Sequence, residues 1–257
     1  MMHIDIIKSL LILPNTLSEY SITLIILTSF FSSFISSIIG FGGGIILLGV
    51  LASTLPPFII IPLHAAIQTG SNLNRLLVFR FNVHWPIIIP FFLGCLIGVP
   101  LGGKIFVTLN ENLILILIGS FILISTIGSL PLLNGKKLFF SAIISSFLST
   151  IVGASGAIIS LIVQSFNLEK SKYISSCAFM LLSQHILKCV IFGILGYSLQ
   201  PYISLIFLTI LSGVFGTIFG RLIVLKIKDY IFTIMIKVVL MILSFNLIYK
   251  GISNYFL

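Results

Sequence analysis

The sequence predicts an all-α, polytopic membrane protein of about eight transmembrane helices, built as two homologous halves. Three observations carry this. Hydrophobic residues make up 58% of the 257 positions and charged residues only 7%, with a mean hydropathy of +1.28. Soluble domains carry about 25% charged residues. The apolar residues fall into stretches long enough to cross a bilayer, which takes about 20 residues as a helix. A segment of the first half also recurs in the second. In lipid a single segment satisfies all its backbone groups only as a helix, so these stretches are read as helices rather than strands.

The helices are expected over residues 21–52, 62–79, 86–107 and 113–133, and then over 138–164, 173–194, 201–224 and 231–249. The first and fifth are too long for one straight crossing of about 30 Å. Each holds a glycine cluster, so each is expected as two shorter pieces joined by a break. The second carries a run of polar residues and ends in basic ones. The third carries Gly94, Gly98 and Gly102 at a spacing of four, which puts all three on one face for close helix packing. The N-terminal MMHIDIIKSLLILPN has an apolar run but includes Asp5 and no small-residue cleavage site. It is expected as a short interfacial segment, not a cleaved signal peptide.

The formal net charge is +9. The basic residues are spread over interhelical loops without a dense patch, as is ordinary in membrane proteins, so no nucleic-acid partner is expected. The distribution of basic loops does not decide the orientation of a simple eight-crossing chain. An inverted arrangement of the halves would sort the charges better. Cys95, Cys177 and Cys189 all lie in apolar spans and form no disulfide or zinc pattern, so they are expected as inert packing.

The repeat is direct. SSFISSIIGFGGGIILL at 32–48 and SSFLSTIVGASGAIISL at 145–161 share ten of seventeen residues at an offset of 113. The same offset pairs Ala65 with Ala178, Asn72 with His185, Arg75 with Lys188 and Phe79 with Phe192. An offset of 118 then pairs Gly98 with Gly216 and Gly102 with Gly220. The halves are taken as residues 1–134 and 135–257. Duplicated halves are common in secondary transporters, whose binding site lies between them at discontinuous helices.

The paired motifs point to anion chemistry. Contiguous glycine is poor helix chemistry, costing up to about 1 kcal/mol per residue. A break at Gly42, Gly43 and Gly44, or at Gly153, Ser155 and Gly156, creates a helix N-terminus inside the membrane, which attracts anions. Arg75 and Lys188 lie within apolar spans, where a basic residue costs about 2.5–3.5 kcal/mol. The acidic residues Asp5, Glu19, Glu111, Glu169 and Asp229 all lie in loops or at span ends. Either the two basic side chains reach an interface, or they face an aqueous cavity and bind a mobile anion. Gln68, Asn72 and Arg75 share one helix face, with Thr69 beside them, and Gln184 and Lys188 share another. Such faces suit either oxyanion binding or interhelical hydrogen bonds. His185 has polar neighbours and is able to carry a proton, whereas His64 and His84 are expected at interfaces or loops and Lys237 at an interface. No phosphate-binding loop, nucleophile–base set or metal cluster occurs. The expectation is therefore a non-enzymatic permease for a small anion, without a cofactor, in contact with the lipid bilayer. A membrane assembly protein with no translocated substrate is the alternative. The oligomeric state is left open.

The glycine cluster GFGGG late in a long first span, the second span running into RFNVHW (residues 80–85) and the GxxxGxxxG third span together resemble the TauE/SafE family of sulfite and organosulfonate exporters. The resemblance covers nearly the whole chain and rests on the order and spacing of the motifs. It implies a duplicated bundle of about eight helices in the bacterial inner membrane, with anionic sulfur compounds as substrates. The sequence departs from the family pattern at three places. Gly49 stands where proline is frequent, the second cluster is reduced to GASGA, and His84 stands where the residue before tryptophan is usually acidic.

Overall fold

The computed structural model describes residues 17–127, 137–223 and 229–256. The expected N-terminal interfacial segment and the end of the fourth expected helix lie outside them. Ten α-helices are described: α1 Glu19–Ile39, α2 Gly43–Thr54, α3 Pro57–Val78, α4 Trp85–Phe106, α5 Glu111–Ile127, α6 Leu138–Val152, α7 Gly156–Gln164, α8 Lys170–Ile194, α9 Ile203–Ile223 and α10 Asp229–Phe256. Among the described residues there is no strand. Four helical segments are long and apolar enough to cross a membrane by length and composition, namely Glu19–Ile39, Trp85–Phe106, Lys170–Ile194 and Gln200–Ile223.

The helix boundaries follow local chemistry. Ser18 caps α1 by accepting from Ser21 N at 3.1 Å. Asn110 opens α5 by accepting from Leu113 N at 2.8 Å. The second expected helix, α3, begins at Pro57, not at 62, because a proline in the first turn lacks only an N–H that the helix does not use there. Pro62 lies inside α3. The last helix is also longer than the expected 231–249.

Both glycine clusters break their helices, as expected. Gly40 ends α1 at φ 93° and Gly153 ends α6 at φ 89°, each in the left-handed region. Each donates its N–H to the carbonyl four residues back, Gly40 to Ser36 and Gly153 to Ser149, both at 2.9 Å. A side chain in this conformation costs about 1–2 kcal/mol, which explains the glycines. Beyond the first break, Gly43 lies against the backbone of Ser32 and the hydroxyl of Ser36. So α2 doubles back along the end of α1.

The helices pack through small residues. The most extensive contacts are α4 with α6 and α9 with α1. A Cβ on Gly102 would sit 2.7 Å from Phe147 O, and one on Gly220 would sit 2.7 Å from Phe34 O. Gly98 faces Ile143 O, and Gly216 faces Phe30 O. Gly94 faces Phe139 O, while Ser212 donates to Ile26 O at 2.8 Å. The outer surface is apolar: Phe31, Ile89, Phe207, Phe215 and Ile242 are exposed. The interior is comparatively polar, with serines buried along α1 and α6. Apolar outside and small or polar inside is the pattern lipid solvation selects.

One end of the bundle carries the 79–82 turn, Lys170, Ser171 and Arg221, which line one surface pocket. At the other end, Phe106 packs against Phe192 and Tyr197. Hence α3 ends at the face where α8 begins, and α4 starts at the face where α9 ends. These ends are termed the Arg80 face and the Lys104 face.

Candidate functional site

The two helix breaks meet in the interior. Gly156, the first residue of α7, faces Phe41 Cβ at 3.5 Å and Gly42 N at 3.9 Å, measured from a Cβ position built on it. The free N-termini of α2 and α7 therefore point toward the same space. The N–H groups of the first turn of each helix have no partner within the helix, so both ends present donors and partial positive charge to one point.

A cavity of about 20 Å³, measured for the centre of a water-sized sphere, lies there. By that measure it holds about one water. It is lined by Gly42 and Gly44 from the first break and Ser155 and Gly156 from the second. Gln68, Arg75 and His185 complete the predicted part of the lining. The sequence reading had not placed Ser36, Phe41 or His64 there, and the structure does.

Arg75 is 2% exposed and Lys188 fully buried, so neither reaches an interface. Lys237, by contrast, is exposed. Among the described residues, neither buried cation has a carboxylate partner. The acidic residues Glu19, Glu111, Glu169 and Asp229 stand at helix starts. Arg75 Nη1 donates to Asn72 Oδ1 at 3.2 Å, and Asn72 is held by Gln68 O at 2.7 Å. Arg75 Nε, His64 Nδ1 and His185 Nδ1 are buried without a hydrogen-bond partner. A buried polar atom left unpaired costs about 1–3 kcal/mol, and three of them gather at this cavity.

Histidine accounts for more of the site than the sequence reading allowed. His64 is 1% exposed, not a loop or interface residue, and its Nε2 donates to Gly44 O at 2.9 Å. It thereby holds the start of α2. Its ring lies edge-on to His185 at 5.6 Å between centroids. The signal for His64 was present: it stands four residues before Gln68, on the same helical stripe as Asn72 and Arg75. His84 does occupy the loop position expected of it, as the residue preceding α4.

The other predicted residues stand one layer behind. Gln184 accepts from Ser155 Oγ at 2.5 Å and donates to Ser145 Oγ at 3.4 Å, so it sets the second break in place. Thr69 bonds Ala65 O at 2.9 Å and faces Cys189. Gly43 packs on α1, and Gly153 packs on Leu48 and Ile61. Lys188 donates to Ser149 O at 2.9 Å and Ser149 Oγ at 2.5 Å, and does not line the cavity. Arg75 is thus the cation directed at the cavity, and Lys188 is held at the end of α6. Among the described residues no group of three or more His, Cys, Asp or Glu is placed to hold a metal ion.

The donor set suits an oxyanion. It offers backbone donors from two helix ends, a guanidinium fork and polar amides, with no fixed negative charge opposed to them. No curated protein and no solved structure matches the chain at a significant level. The model of one family, sulfite exporter TauE/SafE, matches residues 25–247, which run from α1 into α10. With that match over most of its length, the chain belongs to the TauE/SafE sulfite exporter family of multi-pass membrane transporters.

Proposed function

We propose that the protein is an inner-membrane permease that exports a small sulfur oxyanion such as sulfite, a sulfonate or thiosulfate, and that the anion binds between the two glycine breaks. One observation carries this reading. Two helix N-termini and Arg75 converge on one buried cavity without a carboxylate. The substrate is the counter-charge they lack. The cavity is too small for an oxyanion in this conformation, which fits a closed state that widens on binding.

The fold supports two homologous halves, α1–α5 and α6–α10, running in opposite directions across the membrane. The packing of α4 on α6 recurs in that of α9 on α1, residue for residue, at the offsets of the sequence repeat. Each half contributes one break, and the first half contributes the basic residue that lines the cavity. The Arg80 face carries Arg80, Lys170, Lys172 and Arg221, against Lys104 and Lys250 toward the other end. The positive-inside rule then puts the Arg80 face in the cytoplasm.

The test is flux of sulfite, thiosulfate, sulfate and a small sulfonate in proteoliposomes. Saturable flux of at least one is expected. Arg75→Gln should lower it about tenfold or more, since a hydrogen bond to a charged group is worth about 1.5–3 kcal/mol. Undiminished flux in that variant would remove Arg75 from the site. Silence toward every anion, from folded protein, would turn the reading to the membrane assembly alternative.

A further inference from the structure

We propose that in this conformation Lys188 is not a substrate ligand but a latch that keeps the Lys104 face shut, and that Arg75 is its counterpart for the Arg80 face, released here. The proposal rests on the transport reading above and on the opposed halves.

The offset of 113 that pairs Arg75 with Lys188 also pairs Ser36 with Ser149 and Gly40 with Gly153. Each serine carbonyl accepts the N–H of its glycine at the helix end, at 2.9 Å in both halves. In the second half the remaining acceptor capacity is taken. Lys188 Nζ lies 2.9 Å from Ser149 O and 2.5 Å from Ser149 Oγ. An ammonium there meets the negative end of α6. In the first half the equivalent bond is not made. Arg75 is turned to Asn72, its Nε is unpartnered, and both Arg75 and Ser36 line the cavity. The matching groups are thus docked in one half and undocked in the other.

This asymmetry has a direction. Lys188 lies toward the end of α8 at the Lys104 face, and Arg75 lies toward the end of α3 at the Arg80 face. The docked side is closed by Phe106, Phe192 and Tyr197, which pack ring on ring. At the undocked side lies a smaller apolar cluster, Ile38, Phe79 and Ile174, with Phe34, Ile39, Val78 and Tyr173 packed against it. Beyond this cluster open two surface pockets that both include Lys170. With both latches docked, neither cation would face the anion. With both released, neither face would be sealed at its helix break. Alternation follows: when the Arg80 face shuts, Arg75 docks on Ser36, and Lys188 leaves Ser149 to face the cavity. Opposed repeats exchange roles in this way when access alternates.

The test is amide hydrogen exchange of the full chain in lipid nanodiscs, without any anion, read at the two turns 40–43 and 153–156. In the wild type the 40–43 turn should exchange faster. Lys188→Gln should speed the 153–156 turn by about tenfold or more, the scale of one charge-assisted hydrogen bond, and at the same time slow the 40–43 turn. Lys188→Arg should restore the wild-type order. Ser149→Ala, which removes only the hydroxyl bond, should shift both turns in the same directions by less, and decides the matter if Lys188→Gln does not fold. Faster exchange at 153–156 with no slowing at 40–43 would make Lys188 a helix cap alone and overturn the proposal, as would no change at either turn. Because no anion is present, a silent flux assay does not touch this result, and failed reciprocity does not touch the anion site.

Discussion

Arg75 and Lys188 occupy matching places in the repeat and do different things. Both are buried, and burial of an unpaired cation is tolerable only when hydrogen bonds or a mobile counter-charge replace water. Lys188 uses a serine and a helix end. Arg75 uses one amide oxygen and keeps Nε free beside the cavity. Arg75→Lys should therefore not be conservative. It keeps the charge and loses the fork, so KM for the transported anion should rise about fivefold, the equivalent of one hydrogen bond of ~1 kcal/mol. A concentration series of flux measures this. His64 has a different duty. His64→Phe removes the second hydrogen bond to Gly44 O, which keeps its partner within α2, and should lower stability by about 0.5–1.5 kcal/mol, read as a fall in melting temperature in detergent.

Among the elements, the glycine breaks are strained in unequal ways, and the inequality is testable. Gly40 and Gly42 both have positive φ, 93° and 94°. A Cβ on Gly40 would also meet Tyr173 Cε1 at 2.5 Å, whereas one on Gly42 meets nothing within 4 Å. Gly42→Ala should therefore cost only backbone strain, about 1–3 kcal/mol, and Gly40→Ala its own backbone strain plus the displacement of Tyr173. Melting temperatures should fall in that order. The packing stripes give a second comparison. Gly98→Leu drives α4 off α6, and Gly216→Leu drives α9 off α1, through equivalent contacts with Ile143 O and Phe30 O. Size-exclusion profiles of the two variants should show comparable losses of folded protein. A loss confined to one would argue against equivalent packing of the halves.

At the level of the whole molecule, the two copies of the sequence repeat interlock. α4 packs on α6 and α9 packs on α1, so each copy of the repeat buries helices of the other. The cavity lies where the two breaks face each other and is lined from both copies of the repeat. Orientation also belongs to this scale. A cysteine placed at Asn82, in the loop of the Arg80 face, should react with a membrane-impermeant thiol reagent only after cells are permeabilised. Labelling of intact cells would reverse the assignment of faces.

The helical membrane class, the approximate helix positions and the breaks were legible in the residue order. These depend on composition and local periodicity, and on glycine being the residue that enters the left-handed region cheaply. The residue order also showed the repeat, because an offset is a property of the chain. Most of the cavity lining was legible for the same reason: Gln68 and Arg75 share a helical stripe, and the glycine clusters mark where helices start. Which of two equivalent basic residues faces the cavity is set by how the helices pack. The same packing brought Ser36, Phe41 and His64 to the site and turned the matching helices in opposite directions. The repeat makes Arg75 and Lys188 equal. They become unequal only when one helix end comes within reach of its cation and the other does not, and that difference lies in the packing of helices far apart in sequence.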